Sequence, residues 1–398
     1  MDISFSEEEL QFRREVDAFV RRELPPDWDE HSFYWPAAYG AIAIFEEEHQ
    51  TFCRGFLRKL GVRGWLTQGW PREYGGAGSM MKQAIAADVI SYYRAPSGTI
   101  ATTIGGPTII LVGSEEMKRE FLPPIARGEM NFWLGYSEPN AGSDLAALKT
   151  SAVADGDDFV VNGQKIWSSG AHVADYAWLL VKTDPSAGRH RGATLLLVDN
   201  RSPGITIRPL ENIVGFHSFN EVFFDDVRVP RRMVVGGVNQ GFYNVMVALQ
   251  FERLVLGIGA FRRVLDELVA HVKSSPRQGR GRVNNTRARD ALADMAIEIE
   301  VLYGLYWQNV WMIDQGRMPE LEASAMKLFG TELSRKLAHV AADILGPSAL
   351  LDRGSPYAPL QGRVLAGYLD AVSGPIGAGT SEIQRGIIAT RGLGLPRA

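Results

Sequence analysis

Glu252 is a carboxylate in an apolar setting. Phe242, Val245, Met246, Leu249 and Leu256 recur at helical spacing around it. Glu252 stands three residues after Leu249 and four before Leu256, so it shares their face. Its neighbour Arg253 is turned away by about 100°. A carboxylate directed into an apolar interior is costly unless paired, and desolvation raises its pKa, which makes it a better proton acceptor. Two readings stay open from this pattern: a general base, or a structural carboxylate bound to an arginine.

Three further segments could hold a ligand. Leu134-Gly-Tyr-Ser-Glu-Pro-Asn-Ala-Gly-Ser-Asp144 is dense in turn formers and hydroxyls, and offers short donors and backbone N–H groups to an oxygen-rich ligand. It could equally be a loop that links two domains. Lys165-Ile-Trp-Ser-Ser-Gly170 places an indole and two hydroxyls at a strand end, either as the wall of a flat ring or as a core Trp. Ser373-Gly-Pro-Ile-Gly-Ala-Gly-Thr-Ser-Glu-Ile-Gln-Arg385 is a glycine-rich loop running into a helix, where the backbone can approach an anion or a carbonyl oxygen closely.

The elements that must position these residues fall into three regions. Up to about residue 130 the pattern is helical. Ser6-Glu-Glu-Glu9 is an N-cap signature, Leu10, Phe12, Val16, Phe19 and Val20 follow at helical spacing, and Pro25-Pro26 ends the helix. Helical patterns return at 40–60, 79–93 and 114–127. From 131 to 238 the pattern is that of strands, with Asn162-Gly163 as a hairpin signal and candidates at Ala177–Lys182, Ala193–Val198, Ile205–Pro209 and Glu221–Val229. Five or six short strands without long helices between them predict an antiparallel barrel or sandwich. From 239 to 398 the chain is helical again, over Phe242–Val272, Asp290–Asp314, Leu321–Leu345 and Val364–Val372. The basic stretch 273–289 is either a solvated loop or a phosphate-facing one.

Composition removes several classes. The 398 residues are 45% hydrophobic, enough for a sizeable core in two to four compact units. A net charge of −4 argues against a general nucleic-acid surface. One cysteine, Cys53, excludes an internal disulfide, and the seven histidines lack zinc-type spacing. The start lacks the blocks of a signal peptide, and no apolar run reaches the ~20 residues of a membrane helix. These features predict a soluble cytoplasmic protein. The order helical, β, helical, without a Gly-x-Gly-x-x-Gly after a strand, excludes the Rossmann device for a dinucleotide.

Five segments in series resemble the acyl-CoA dehydrogenase family: Trp70-Pro-Arg-Glu-Tyr-Gly-Gly76, Tyr136–Asp144, Asn162–Ser169, Glu221–Pro230 and Gly379–Arg385. The resemblance covers essentially the whole chain. It implies an α+β multidomain fold with an N-terminal α-helical domain (1–130), a central antiparallel β-domain (131–238) and a C-terminal four-helix bundle (239–398), with FAD held between the subunits of a tetramer. Carried over by residue, Tyr136 and Ser137 fall where the family contacts the flavin ring. Trp167 falls where an indole covers it, and Ser169 where a hydroxyl meets flavin N5. Gly142, Ser143, Ser168, Gly379, Thr380 and Glu382 complete the expected cofactor contacts. Ser143, Gln250, Arg253 and Ala378 match positions along the acyl-CoA channel.

The resemblance also locates departures. Most members carry a Glu two residues before the Thr of the C-terminal loop, and here that position is Ala378. A minority, including isovaleryl-CoA-type enzymes, carries the base on the bundle helix, at the position matching Glu252. The implied activity is α,β-dehydrogenation of an acyl-CoA, with Glu252 taking the α-proton, the β-hydride leaving to flavin N5, and the backbone N–H of residue 378 among the donors to the thioester oxygen. Electrons would pass to an electron-transfer flavoprotein. Arg-x-x-Phe-Gly of many members reads Ser275-Pro-Arg-Gln-Gly279, and Gln-x-x-Gly-Gly reads Asp343-Ile-Leu-Gly-Pro347. These changes resemble an actinobacterial-type branch, in part of which two different subunits pair and some members handle steroid acyl-CoAs. Two alternatives remain: a supporting subunit of a mixed tetramer, and an acyl-CoA oxidase.

Overall fold

Ser6 opens the first helix with a reciprocal capping box. Its hydroxyl accepts from the Glu9 N–H at 3.2 Å, and the Glu9 carboxylate accepts from the Ser6 N–H at 2.7 Å. In this computed structural model, residues 4–33, 35–36, 47–188, 190–252, 257–274 and 286–396 are described, excluding the side chains of 31, 47, 48 and 249–252. The helices are α1 (Glu7–Glu23), α2 (Trp28–His31), α3 (Glu47–Val62), α4 (Met80–Tyr92), α5 (Gly106–Val112), α6 (Glu115–Ala126), α7 (Gly241–Glu252), α8 (Gly259–Ser274), α9 (Thr286–Asp314), α10 (Leu321–Leu345), α11 (Arg363–Asp370) and α12 (Ser381–Ile387). The strands are β1 (Phe132–Gly135), β2 (Ser151–Asp155), β3 (Asp158–Lys165), β4 (Tyr176–Lys182), β5 (Ala193–Asp199), β6 (Ile205–Glu211) and β7 (His217–Pro230).

The chain forms two units. One comprises residues 1–44, 80–97 and 253–398, and is helical. Within it α1 packs on α4, α4 on α8 and α9, α9 on α10, and α10 on α11 and α12. The long helix expected over Phe242–Val272 is interrupted. α7 ends at Glu252 and α8 starts at Gly259, with Gly257 and Ile258 outside either helix and 253–256 outside the described residues. Two glycines in three residues remove the propensity that would carry the helix across. Gly259 meets α4 so closely that a Cβ there would lie 2.0 Å from the Asp88 carbonyl oxygen. Close helix packing therefore accounts for this glycine. Gly259→Ala is expected to lower unfolding stability by about 1–3 kcal/mol through overpacking, read from the urea midpoint.

The other unit comprises residues 45–79 and 98–252. It holds one seven-stranded sheet in the order β1-β4-β2-β3-β7-β6, with β5 paired to β4. Most pairing is antiparallel, while β1–β4 and the single Ser151–Lys182 pair of β2–β4 are parallel. β4 and β5 are apolar on consecutive residues because both faces are covered: Ala177–Val181, Ala193 and Leu195–Val198 are all buried, in one core with Trp133, Phe224 and Val245.

Asn162-Gly163 is not a hairpin turn. β3 runs straight through it, and the tight turn lies at Gly156-Asp157, where Asp155 pairs with Asp158 and Gly156 adopts φ 58°. Asn162 instead braces a bulge in β7. Three residues on β3, Val161 to Gly163, face four on β7, Val227 to Phe224. Asp226 takes the left-handed conformation there, φ 48°, and exchanges two 2.9 Å hydrogen bonds with the Asn162 side chain. A Cβ at Gly163 would fall 2.7 Å from the Thr150 Cα. Burial on β7 follows the bulge, with Ser218, Asn220, Val222 and Phe224 inward before it and Val227 and Val229 inward after it.

Candidate functional site

In the sheet unit, Tyr136 and Ser137 follow β1, and Ile166 to Gly170 follow β3. The two exits are joined by the Ile166 N–H donating to the Ser137 carbonyl at 3.0 Å. Behind them lies a buried ion pair. The Lys165 side chain, 0% exposed, donates from Nζ to Glu138 Oε1 at 2.9 Å and to the Tyr136 carbonyl at 3.1 Å. Glu138 accepts also from the Lys149 and Thr150 N–H groups at 2.7 and 2.9 Å. Burial lowers the Lys165 ammonium, and with Glu138 opposing that pull it comes down to about 8. Burial raises the Glu138 carboxyl, but Lys165 and the two N–H donors outweigh that and hold it below the usual carboxylate range. Both groups are charged at pH 7, and their bonds fix the backbone of Tyr136.

Trp167 is held outward. Its backbone is left-handed at φ 58° and the residue is 60% exposed, touching Phe219 edge-on at 6.0 Å. Asn220 clamps the residues after it. Its carbonyl accepts from the Ser168 N–H at 3.1 Å, and its side-chain amide donates to the Ser168 carbonyl at 2.9 Å. The same amide contacts His172 Nδ1 at 3.1 Å and His217 Nε2 at 2.8 Å, and the two imidazoles stack at 3.9 Å. The Ser168 hydroxyl is buried with no hydrogen-bond partner among the described residues, and Ser169 is half-buried.

A strained backbone that presents an indole to solvent beside an unpaired buried hydroxyl gains nothing from burial. It fits a flat ring system carrying polar edges, and so fits the isoalloxazine of FAD. Gly142 and Ser143 are exposed on the loop beyond, with open space around Gly142.

In the helical unit, the loop after α11 carries Ala378 at φ 51° and Gly379 at φ 83°. Thr380 caps α12, its hydroxyl accepting from the Ile383 N–H at 3.2 Å. Glu382 is 80% exposed at its side chain and faces Arg385 at 3.9 Å. The bonds given to it by its own N–H and the Thr380 hydroxyl lower its pKa. In the sheet unit, position 252 closes α7 and follows buried Val245 and Ala248 in helical register. The side chains of Glu252 and Gln250, and all of Arg253 and 275–279, lie outside the described residues. Of the 343–347 stretch, Asp343 to Leu345 end α10 and Gly346 turns at φ 61°.

Asp370, the last residue of α11, is 8% exposed, and burial pushes its carboxyl up to about 7 from the ordinary 3.8. Between those values the folded chain holds a proton that the unfolded chain has lost. Its contribution is therefore whole below pH 3.8 and lost as pH rises through 7. Asp370→Asn is expected to leave stability near pH 4 unchanged and to raise it at pH 8 by at most on the order of 4 kcal/mol, measured by urea unfolding at both pH values.

Sequence reasoning passed over Asn220, His172, His217 and Lys327, and gave Glu138 and Lys165 no role. A lysine on the buried face of α10, amid Ala323, Met326 and Gly330, was the readable signal for one of them.

No group of three or more His, Cys, Asp or Glu among the described residues could hold a metal, and no described helix is long and apolar enough to cross a membrane. Residues 6–129, 134–227 and 239–393 match the N-terminal, middle and C-terminal domain families of acyl-CoA dehydrogenase. Acyl-CoA dehydrogenase FadE26 of Mycobacterium tuberculosis is 36% identical over 411 residues, covering 100% of both chains. FadE29 of the same organism is 33% identical, covering 100% of this chain and 99% of its own. Among solved structures, one described as the Tcur3481-Tcur3483 steroid ACAD superposes with a TM-score of 0.90 at 32% identity over 100% of both chains. The ChsE4-ChsE5 complex from Mycobacterium tuberculosis gives a TM-score of 0.88 at 35% identity, again over 100% of both. The chain therefore belongs to the acyl-CoA dehydrogenase family, whose members are flavoprotein oxidoreductases acting on CH–CH bonds.

Proposed function

We propose that this protein converts an acyl-CoA thioester to the trans-2-enoyl-CoA, with Glu252 as the base. The observation that supports the flavin side is the Trp167 wall beside the unpaired Ser168 hydroxyl. FAD, when bound, supplies the acceptor for the β-hydride at N5. Tyr136, Ser137, Gly142, Ser143, Trp167, Ser168, Ser169, Gly379, Thr380 and Glu382 are the residues proposed to hold it. Glu252 takes the α-proton. The N–H of residue 378 is offered to the thioester oxygen, where charge grows as that proton leaves, and substitution of Ala for the usual Glu leaves this donor in place. Ser143, Gln250 and Arg253 line the acyl-CoA channel. The chain works as three domains, 1–130, 131–238 and 239–398, in a cytoplasmic tetramer that passes electrons to an electron-transfer flavoprotein.

The substrate class follows the relatives. The structure described as a steroid ACAD, at 32% identity, favours a bulky or steroidal acyl group over a short straight chain. Anaerobic titration with straight, branched and steroidal acyl-CoAs tests this. Bleaching of the flavin absorbance by the steroidal members is the expected result, and no bleaching by any member removes the reading.

One observation favours a second assembly. One solved relative is described as a ChsE4-ChsE5 complex and the other carries the double name Tcur3481-Tcur3483, so a heterotetramer with a related subunit is the alternative to a homotetramer. Purified alone, a chain with near one FAD per protomer supports the homomeric catalyst. A colourless chain that turns yellow only with its partner supports the mixed assembly.

A further inference from the structure

Lys327 is a cation that the proposed mechanism leaves unused. It lies on α10 and is 4% exposed. Its Nζ donates to the Gly379 carbonyl at 2.8 Å and to the Gly374 carbonyl at 3.1 Å. One ammonium thus ties both ends of the 374–379 loop. The buried Gln384 side chain adds a second grip, donating from Nε2 to the Ala378 and Gly379 carbonyls at 3.3 and 3.2 Å. Taking a cation out of water is costly, more so than pinning an ordinary surface loop requires.

What is pinned is a strained stretch. Ala378 and Gly379 are consecutive left-handed residues, a conformation that is strained for an L-residue such as Ala. It persists only where neighbours over-determine it. A trans peptide sets its N–H opposite its C=O. With the carbonyls of 378 and 379 turned in to Lys327 and Gln384, the N–H groups of Gly379 and Thr380 are turned out. Among the described residues, the N–H groups of Ala378, Gly379 and Thr380 have no acceptor.

We propose that Lys327 is the positioning residue that holds this run of N–H donors toward the thioester oxygen. The inference rests on the acyl-CoA reading above, which supplies the oxygen. Lys327 acts through the loop: its two bonds orient the peptide planes, and its charge adds a positive field behind the donors.

The test compares wild type, Lys327→Met and Lys327→Arg, each carrying FAD. The probe is an aryl-acryloyl-CoA, a product analogue whose absorption moves to the red when its thioester oxygen is hydrogen-bonded. In Lys327→Met the red shift is expected to fall by about half or more and kcat by about 100-fold, while KM changes by less than about threefold. Lys327→Arg, which keeps a cationic donor, is expected to recover part of the shift. If Lys327→Met does not fold, Gln384→Leu carries the test, because it releases the same Gly379 carbonyl and is expected to reduce the shift by a smaller amount. A full wild-type shift in Lys327→Met, or in Gln384→Leu where that variant stands in, overturns the inference alone. Failure of wild type to bind the probe overturns the acyl-CoA reading and this inference with it.

Discussion

Glu252→Gln should purify yellow, bind acyl-CoA and turn over about 10³-fold more slowly than wild type, or worse. The amide has the shape of the carboxylate, so loop and helix packing are retained. What is lost is the only proposed acceptor for the α-proton, since position 378, where most members carry the base, is alanine here. The same variant should stop exchange of the α-hydrogen with solvent deuterium, a readout that needs no electron acceptor. The loss should lie in kcat, because the base acts on a proton that is transferred only in the transition state. Glu382→Gln is the comparison. Glu382 is a proposed FAD contact, so its loss should show in FAD content, while α-exchange per bound flavin persists as it does not in Glu252→Gln. Normal α-exchange in Glu252→Gln would falsify the assignment of the base while leaving the family membership untouched.

Lys165→Met should be the most damaging change to the cofactor wall. It leaves Glu138 buried with two N–H donors and no cation. Removing one partner of a buried pair costs about 3–5 kcal/mol, chiefly through the uncompensated charge left behind. The Tyr136 carbonyl also loses its donor, so the loop before Ser137 is freed, and the variant should purify with less than one FAD per chain even where it folds. The double variant Lys165→Met/Glu138→Leu should recover part of the stability but not the FAD content, since an apolar pair restores packing without the bond to Tyr136. A pH signature accompanies the pair. Lys165 sheds its proton in the folded chain near 8, while an unfolded lysine holds it to about 10.5. Stability from this group therefore rises with pH between those values, and Lys165→Met should abolish that rise. Equal FAD content in wild type and Lys165→Met sinks the positioning role.

Much of the scaffold was legible because it rests on local rules. Ser6 and Glu9 announce α1 by chemistry that completes within four residues. The buried stripes of α9 and α10 repeat often enough to be read over Asp290–Asp314 and Leu321–Leu345, although α9 begins earlier, at Thr286, inside the stretch expected to be a loop. Legibility failed where a distant partner decides. β1 is four residues long and becomes a strand by pairing with β4, some forty residues away. β2 is built of small residues and one valine, and its hairpin turn was eclipsed by the stronger Asn162-Gly163 signal a few residues on. That signal was sound as a mark of unusual backbone, but the unusual backbone belongs to a bulge whose other half is Asp226.

The site divides in the same way. Trp167, Ser168 and the 373–385 loop stand out by composition. Asn220 and Lys327 do not, because they act on carbonyl groups that only the folded chain brings to them.

The braced step in β7 also has a meaning for how this chain tolerates indels. Asp225 and Asp226 hold one residue more than the facing strand, and that surplus lets even-numbered positions point inward on one side and odd-numbered ones on the other. Deleting either aspartate would restore a regular ladder and leave Phe224, Val227 and Val229 all on the inward face, because one outward residue would still separate Phe224 from Val227. The same loss at Glu221 would turn one half of the strand over, since no surplus residue is there to absorb it. The step is thus the one place in β7 where a single-codon loss costs the Asn162 brace and not the facing of the strand.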